Sequence, residues 1–112
     1  MGMDVCGGRP KEKVGEYLRC SGMEWGPLWT YCSTVAPEIA GKVEHGYTSD
    51  GDGLGGSDAE ALAARLRECL ESGHTAQWEV MLASRIGGEA FDVGLVREFV
   101  RFLEACGGFA IF

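Results

Sequence analysis

The sequence predicts a small α+β domain, dominated by helices and holding one short β-sheet. Three observations carry that reading. The chain has 112 residues, which suits one domain with one core spanning 1–112. Its central and C-terminal parts repeat apolar residues at helical spacing and stop at glycine. Residues 109–112 are wholly apolar and read as a short buried strand, which suits pairing with a short strand at 3–6. Glycine, at 18 residues, exceeds twice the usual share of about 7%, so turns and helix stops are frequent.

The elements follow in order. The strand at 3–6 ends at Gly7-Gly8, and 9–16 is a polar loop. Residues 17–20 are apolar but of undetermined type, broken by Ser21-Gly22. Pro27 suits the first turn of a helix, where its missing N–H is not needed. Leu28, Tyr31, Cys32 and Val35 then mark the helical face. Pro37 stops that helix or starts a short turn through Ala40, closed by Gly41. Residues 42–48 are a strand or irregular, and 49–56 form a glycine-rich loop. Ser57-Asp58-Ala59-Glu60 has the form of a capping box. It opens a helix with Leu62, Leu66, Cys69 and Leu70 on one face, ending at Gly73. Thr75 is expected to cap a further helix bearing Trp78, Met81, Leu82 and Ile86, stopped by Gly87-Gly88. Asp92 is expected to cap the last helix, with Phe91 stapled onto Val96. That helix carries Leu95, Val96, Phe99, Val100, Phe102, Leu103 and Cys106 over half its circumference, a stripe wider than one neighbouring helix covers.

Composition excludes several function classes. Net charge is −7 and no basic stripe exists, which argues against direct nucleic-acid binding. The acidity suits a solvated surface; a nucleic-acid mimic would need carboxylates crowded on one side, and here Arg and Glu are interspersed. No apolar run approaches the roughly 18 residues of a membrane span. The first residues turn polar without a signal-peptide core, so a cytoplasmic location is expected. The five cysteines form no Cys-x-x-Cys pair and are expected to be free thiols.

Chemistry is sparse. Gly51-x-Gly53-x-x-Gly56 matches a dinucleotide fingerprint, but Asp50 and Asp52 would face the pyrophosphate and no series of βαβ units surrounds it. Asp50 and Asp52 also fit the first and third positions of an EF-hand. Leu54 and Ala61 then stand where acids are required, so it is not one. A looser Ca²⁺ or Mg²⁺ site built from Asp50, Asp52 and Asp58 is left, against a turn whose carboxylates satisfy local N–H groups. Nucleophile elbows, His-Glu-x-x-His and P-loops are missing. His45 and His74 are possible bases without a placed partner. No cofactor is expected. Trp25, Trp29, Tyr31 and Tyr47 form an aromatic-rich stretch. Such residues are core or line a ligand pocket or interface, and a chain this small does not easily bury three tryptophans. With Phe102 they are the candidate ligand or interface residues.

Met3-Asp-Val-Cys-Gly7, Gly15-Glu-Tyr-Leu-Arg19, Trp25-Gly-Pro-Leu-Trp29-x-Tyr31-Cys32, Asp50-Gly-Asp-Gly-Leu54, Val96-Arg-Glu-Phe99 and Gly107-Gly-Phe109 occur in that order. In these stretches the chain resembles a family of uncharacterised proteins from environmental bacteria, prophages and mobile gene cassettes of the integron type. The resemblance covers nearly the whole chain. The family has no assigned activity, so the resemblance implies no catalytic residues. Its longer members have a Cys-x-x-Cys knuckle before the last helix, where this chain has Gly87-Gly88-Glu89, so no metal role of that knuckle carries over. The expected function is a non-enzymatic binding or interaction module, a homodimer encoded on a mobile element and joined through aromatic residues. The alternative is a divalent-metal-dependent hydrolase centred on the Asp50/Asp52 loop.

Overall fold

A computed structural model of the chain describes residues 2–85 and 90–112. Four antiparallel strands form one sheet in the order β2-β1-β4-β3. They are β1 (Gly2–Gly7), β2 (Tyr17–Ser21), β3 (Gly53–Gly55) and β4 (Gly108–Ile111). The expected pairing of the two end strands is present, with Val5 opposite Ile111. Strand alternation sends Met3, Val5, Cys20, Leu54, Phe109 and Ile111 into the core. Asp4, Cys6, Tyr17, Arg19 and Ala110 occupy the other face, where Asp4 accepts hydrogen bonds from Tyr17 and Arg19. Two assignments need correction. The undetermined stretch at 17–20 is strand β2, joined to β1 through a 3₁₀ turn at Lys13–Gly15. Part of the glycine-rich loop is strand β3, which pairs Leu54 with Phe109.

Among the described residues five helices complete this helix-dominated α+β domain: α1 (Gly22–Val35), α2 (Pro37–Ala40), α3 (Gly56–Ser72), α4 (His74–Ala83) and α5 (Val93–Ala105). Helix α1 starts five residues before Pro27 because Ser21 and Glu24 form a capping box. The Ser21 hydroxyl accepts from the Glu24 N–H at 3.1 Å, and the Glu24 carboxylate accepts from the Ser21 N–H at 3.0 Å. Pro27 therefore lies inside the helix, not in its first turn. The helical donor it lacks belongs to the carbonyl of Met23, an exposed residue.

The capping box expected at Ser57 does not form. Strand β3 runs directly into α3, so Gly55 holds the cap position and Ser57 is the second helical residue. Thr75 is likewise not a cap. Helix α4 begins at His74 immediately after Gly73, and Thr75 is buried. The Asp92 cap is present, its carboxylate accepting from the Gly94 N–H at 2.8 Å. The expectations for Ile86, Gly87, Gly88 and Glu89 lie outside the described residues.

The wide stripe of α5 is covered within the chain. Val96, Phe99, Val100, Phe102 and Leu103 are buried, against α3, the 3₁₀ turn, β2 and α4. Phe99 packs edge-on against Trp25 at 5.6 Å and beside Phe102 and Phe109. A dimer built on this stripe, as expected from the sequence, would have no exposed surface there. Phe102 is accordingly a core residue. All five thiols are free, and Cys20, Cys32, Cys69 and Cys106 are buried. Burial pushes the Cys20 thiol up to about 11 and raises Cys32 and Cys106 as well, which keeps these thiols protonated and unreactive. No described helix is long and apolar enough to cross a membrane.

Candidate functional site

Helix α1 brings aromatic residues to two different surroundings. On one side Trp25 and Trp29, one helical turn apart, stack at 5.5 Å with planes 12° apart. They are 1% and 2% exposed. The loop between α2 and β3 lies over them. Trp25 donates its indole N–H to the Gly46 carbonyl at 2.7 Å. A Cβ at Gly46 would fall 2.0 Å from Trp29 Nε1, so only glycine lets this loop approach so closely. The loop is fastened on both sides. Tyr47, 54% exposed, shares a 2.9 Å hydrogen bond with Thr30. The Asp52 carboxylate accepts from both the backbone N–H and Nδ1–H of His45 at 3.0 Å. That bond and the Asp52 charge raise the pKa of His45. Asp52 also accepts from the Ile111 N–H through its backbone carbonyl at 2.8 Å.

The three candidate metal-binding acids therefore have separate partners. Asp50 accepts from the Thr48 hydroxyl, Asp52 from His45, and Asp58 pairs with Lys42 Nζ at 2.9 Å. Among the described residues no group of three or more His, Cys, Asp or Glu side chains is placed to hold one ion. The convergence required by the metal-dependent alternative is not formed by Asp50, Asp52 and Asp58. Trp25 and Trp29, expected as ligand or interface residues, are part of the core under the loop.

The other side of α1 presents Tyr31. Its side chain is buried, which raises its pKa. Its hydroxyl lies 2.8 Å from His74 Nδ1 and 2.9 Å from Thr75 Oγ1. Around its ring stand Phe91 at 5.2 Å, Trp78 at 5.4 Å and His74 at 5.7 Å, and His74 stacks on Trp78 at 6.1 Å. Thr75 thus serves as the inward hydroxyl that positions Tyr31. Above these rings an open cleft of about 270 Å³ is lined by His74, Gln77, Trp78 and Met81. Trp78 Nε1 is buried and has no hydrogen-bond partner among the described residues, a costly condition for an N–H group.

Helix α4 itself is unusual for a surface helix. Only Thr75 and Leu82 are buried in it. Val80 is 69% and Met81 38% exposed, and Ala76 and Ala83 are exposed too. Its one acid, Glu79, turns its carboxylate to the Val93 N–H at 3.0 Å. A wider concavity of about 440 Å³ runs along α3 and α5, lined mainly by Glu60, Glu68, Glu71, Glu104 and Arg67. Those charges are solvated and largely paired, with Lys11 on Glu60, Arg65 on Glu68 and Arg67 on Glu104. The α4 cleft is smaller but combines ring faces with a buried N–H that lacks a partner among the described residues, so it is the better candidate.

Comparison of the chain with protein-family models, with curated proteins and with solved structures gives no match. The candidate site rests on its own residues. Local pattern does not mark His74 and Gln77 as binding residues, and it puts Trp78 and Met81 on a core face. The usable signal was composition: α4 has Ala76, Val80 and Ala83 opposite Trp78 and Leu82, so no orientation buries every apolar side chain.

Proposed function

We propose that the chain is a non-enzymatic interaction module and that its contact surface is the exposed, uncharged side of α4, taken up by a second copy. The observation that carries this reading is the outward row Ala76, Val80 and Ala83, at i, i+4 and i+7, with Val80 69% exposed. The chain's net charge is −7, so two copies repel. They do so least where the facing surface has no ionised group. Helices α3 and α5 expose Glu60, Glu68, Glu98 and Glu104, whereas the outward row of α4 exposes none. One helix of 10 residues offers less than the roughly 800 Å² per partner of a standard interface, so the pairing is transient. A small self-contained module of this kind suits the mobile gene cassette setting that the sequence resemblance implies, and a cytoplasmic location.

Light scattering from about 10 µM to about 1 mM, the range where a weak contact titrates, tests it. The expected result is a mass that climbs toward two chains at the high end, while Val80→Glu holds one chain throughout. A single-chain mass for the unaltered protein at every concentration overturns the reading.

A further inference from the structure

We propose that the cleft on the other flank of α4 binds a small planar carboxylate, held by ring stacking and by N–H donors. At 100° per residue His74, Gln77, Trp78 and Met81 fall on one flank of the helix, away from Ala76 and Ala83. The site is thus centred away from the proposed self-contact, which it borders where Gln77 neighbours Val80. Three features of the cleft point to the ligand's chemistry. The first is a surplus of donors. Trp78 Nε1–H has no acceptor among the described residues. The Tyr31 hydroxyl occupies His74 Nδ1, which leaves Nε2 as the ring nitrogen for a ligand. Gln77 adds an amide.

The second feature is the absence of negative charge. In a chain with 17 acids against 10 Lys and Arg, the described residues lining the cleft include no carboxylate. A carboxylate ligand meets no like charge from these residues and supplies acceptors to their N–H donors. The third is shape. His74 and Trp78 lie 23° from parallel, and a flat ring can stack against such faces. The volume of about 270 Å³ admits one ring with its acid group. Trp78 Nε1 is closed to water, so a ligand that bonds it must displace part of the lining, in which Met81 is an unbranched and partly exposed side chain.

Benzoate titrated into the labelled full chain, followed by the indole N–H resonances, tests the site. The expected result is a saturable shift of the Trp78 indole resonance, assigned with Trp78→Phe, with half-saturation at about 1 mM, in keeping with so small a ligand. The Trp25 resonance, bonded to Gly46, should not move and reports an intact fold. Gln77→Glu, an exposed substitution that adds a charge at the rim, should weaken benzoate at least about tenfold. His74→Ala should weaken it as much. No shift of the Trp78 resonance, an equal shift with inorganic phosphate, or full binding by Gln77→Glu overturns the proposal. None of these readouts depends on whether two copies associate.

Discussion

The two sides of α1 hold the same kinds of residue in opposite conditions. Trp25 and Trp29 are sealed beneath a loop, and the Trp25 N–H has a carbonyl at 2.7 Å. Tyr31 is also buried, but the rings around it open into a cleft and the Trp78 N–H has no acceptor among the described residues. The difference comes from the covering element. Gly46 lets an irregular loop press directly onto the indoles, whereas α4 is a stiff rod that fully buries only Thr75 and Leu82 and packs Trp78 partway in. Aromatic type and spacing thus do not separate core from site. What separates them is whether the covering segment can reach every polar atom.

The comparison is tested most severely by deleting the indoles. Trp29→Ala should cost about 3–5 kcal/mol in urea unfolding, the usual range for a buried aromatic. Trp78→Ala should cost clearly less, because part of its ring already faces solvent. Equal losses would make the two sides one continuous core. Gly46→Ala comes next, at about 1–3 kcal/mol, since the added methyl must displace the loop or Trp29. It should also expose the Trp25 N–H to faster hydrogen exchange, while the Trp78 resonance stays put. An unchanged exchange rate would mean that the loop does not seal the tryptophans.

A smaller effect concerns the fastening of that loop. The pKa of His45 is raised by Asp52, so its charged form is favoured in the folded state. The resulting stabilisation is fully present below the unfolded value of about 6.5 and is lost as pH rises through the folded value. Both groups are substantially exposed, which keeps the effect small. The urea midpoint should fall slightly between about pH 6 and pH 8, and Asp52→Asn should flatten that slope. The least effect is expected at Ser57→Ala, below a few tenths of a kcal/mol, because Gly55 and not Ser57 holds the cap position. A loss near 1 kcal/mol in urea unfolding would restore Ser57 as the cap.

Much of the fold was legible in local pattern. The strand at 109–112 is a wholly apolar stretch after Gly107-Gly108, the strand at 3–6 ends at Gly7-Gly8, and Asp92 marks the start of α5 without ambiguity. Two helix starts were misread for opposite reasons. Ser21-x-x-Glu24 is a true capping box hidden by Gly22, which reads as a break, and by Pro27, which reads as the helix's first turn. Ser57-x-x-Glu60 has the same form, but the pairing of Gly55 with Gly108 commits the chain to turn helical at Gly56. That pairing is long-range and leaves no local trace. The site was legible in part. Tyr31 stood among the candidates, but its partners His74 and Thr75 lie 43 and 44 residues away, so no spacing rule connects them. The α5 stripe suggested an exposed surface only because its covers, α3 and the 3₁₀ turn, come from distant parts of the chain.

The position of β1 and β4 in the middle of the sheet has a consequence for synthesis. Strand β1 emerges first and can close a hairpin with β2 at once, with Val5 opposite Leu18. Its other neighbour is β4, where Val5 meets Ile111, and that partner leaves the ribosome last among these strands. Until it does, one side of β1 is an unpaired edge and β3 has nothing to pair with. Closing so large a loop is slow. During that interval two nascent chains on one message hold matching open edges, and the β4 of either can complete the sheet of the other.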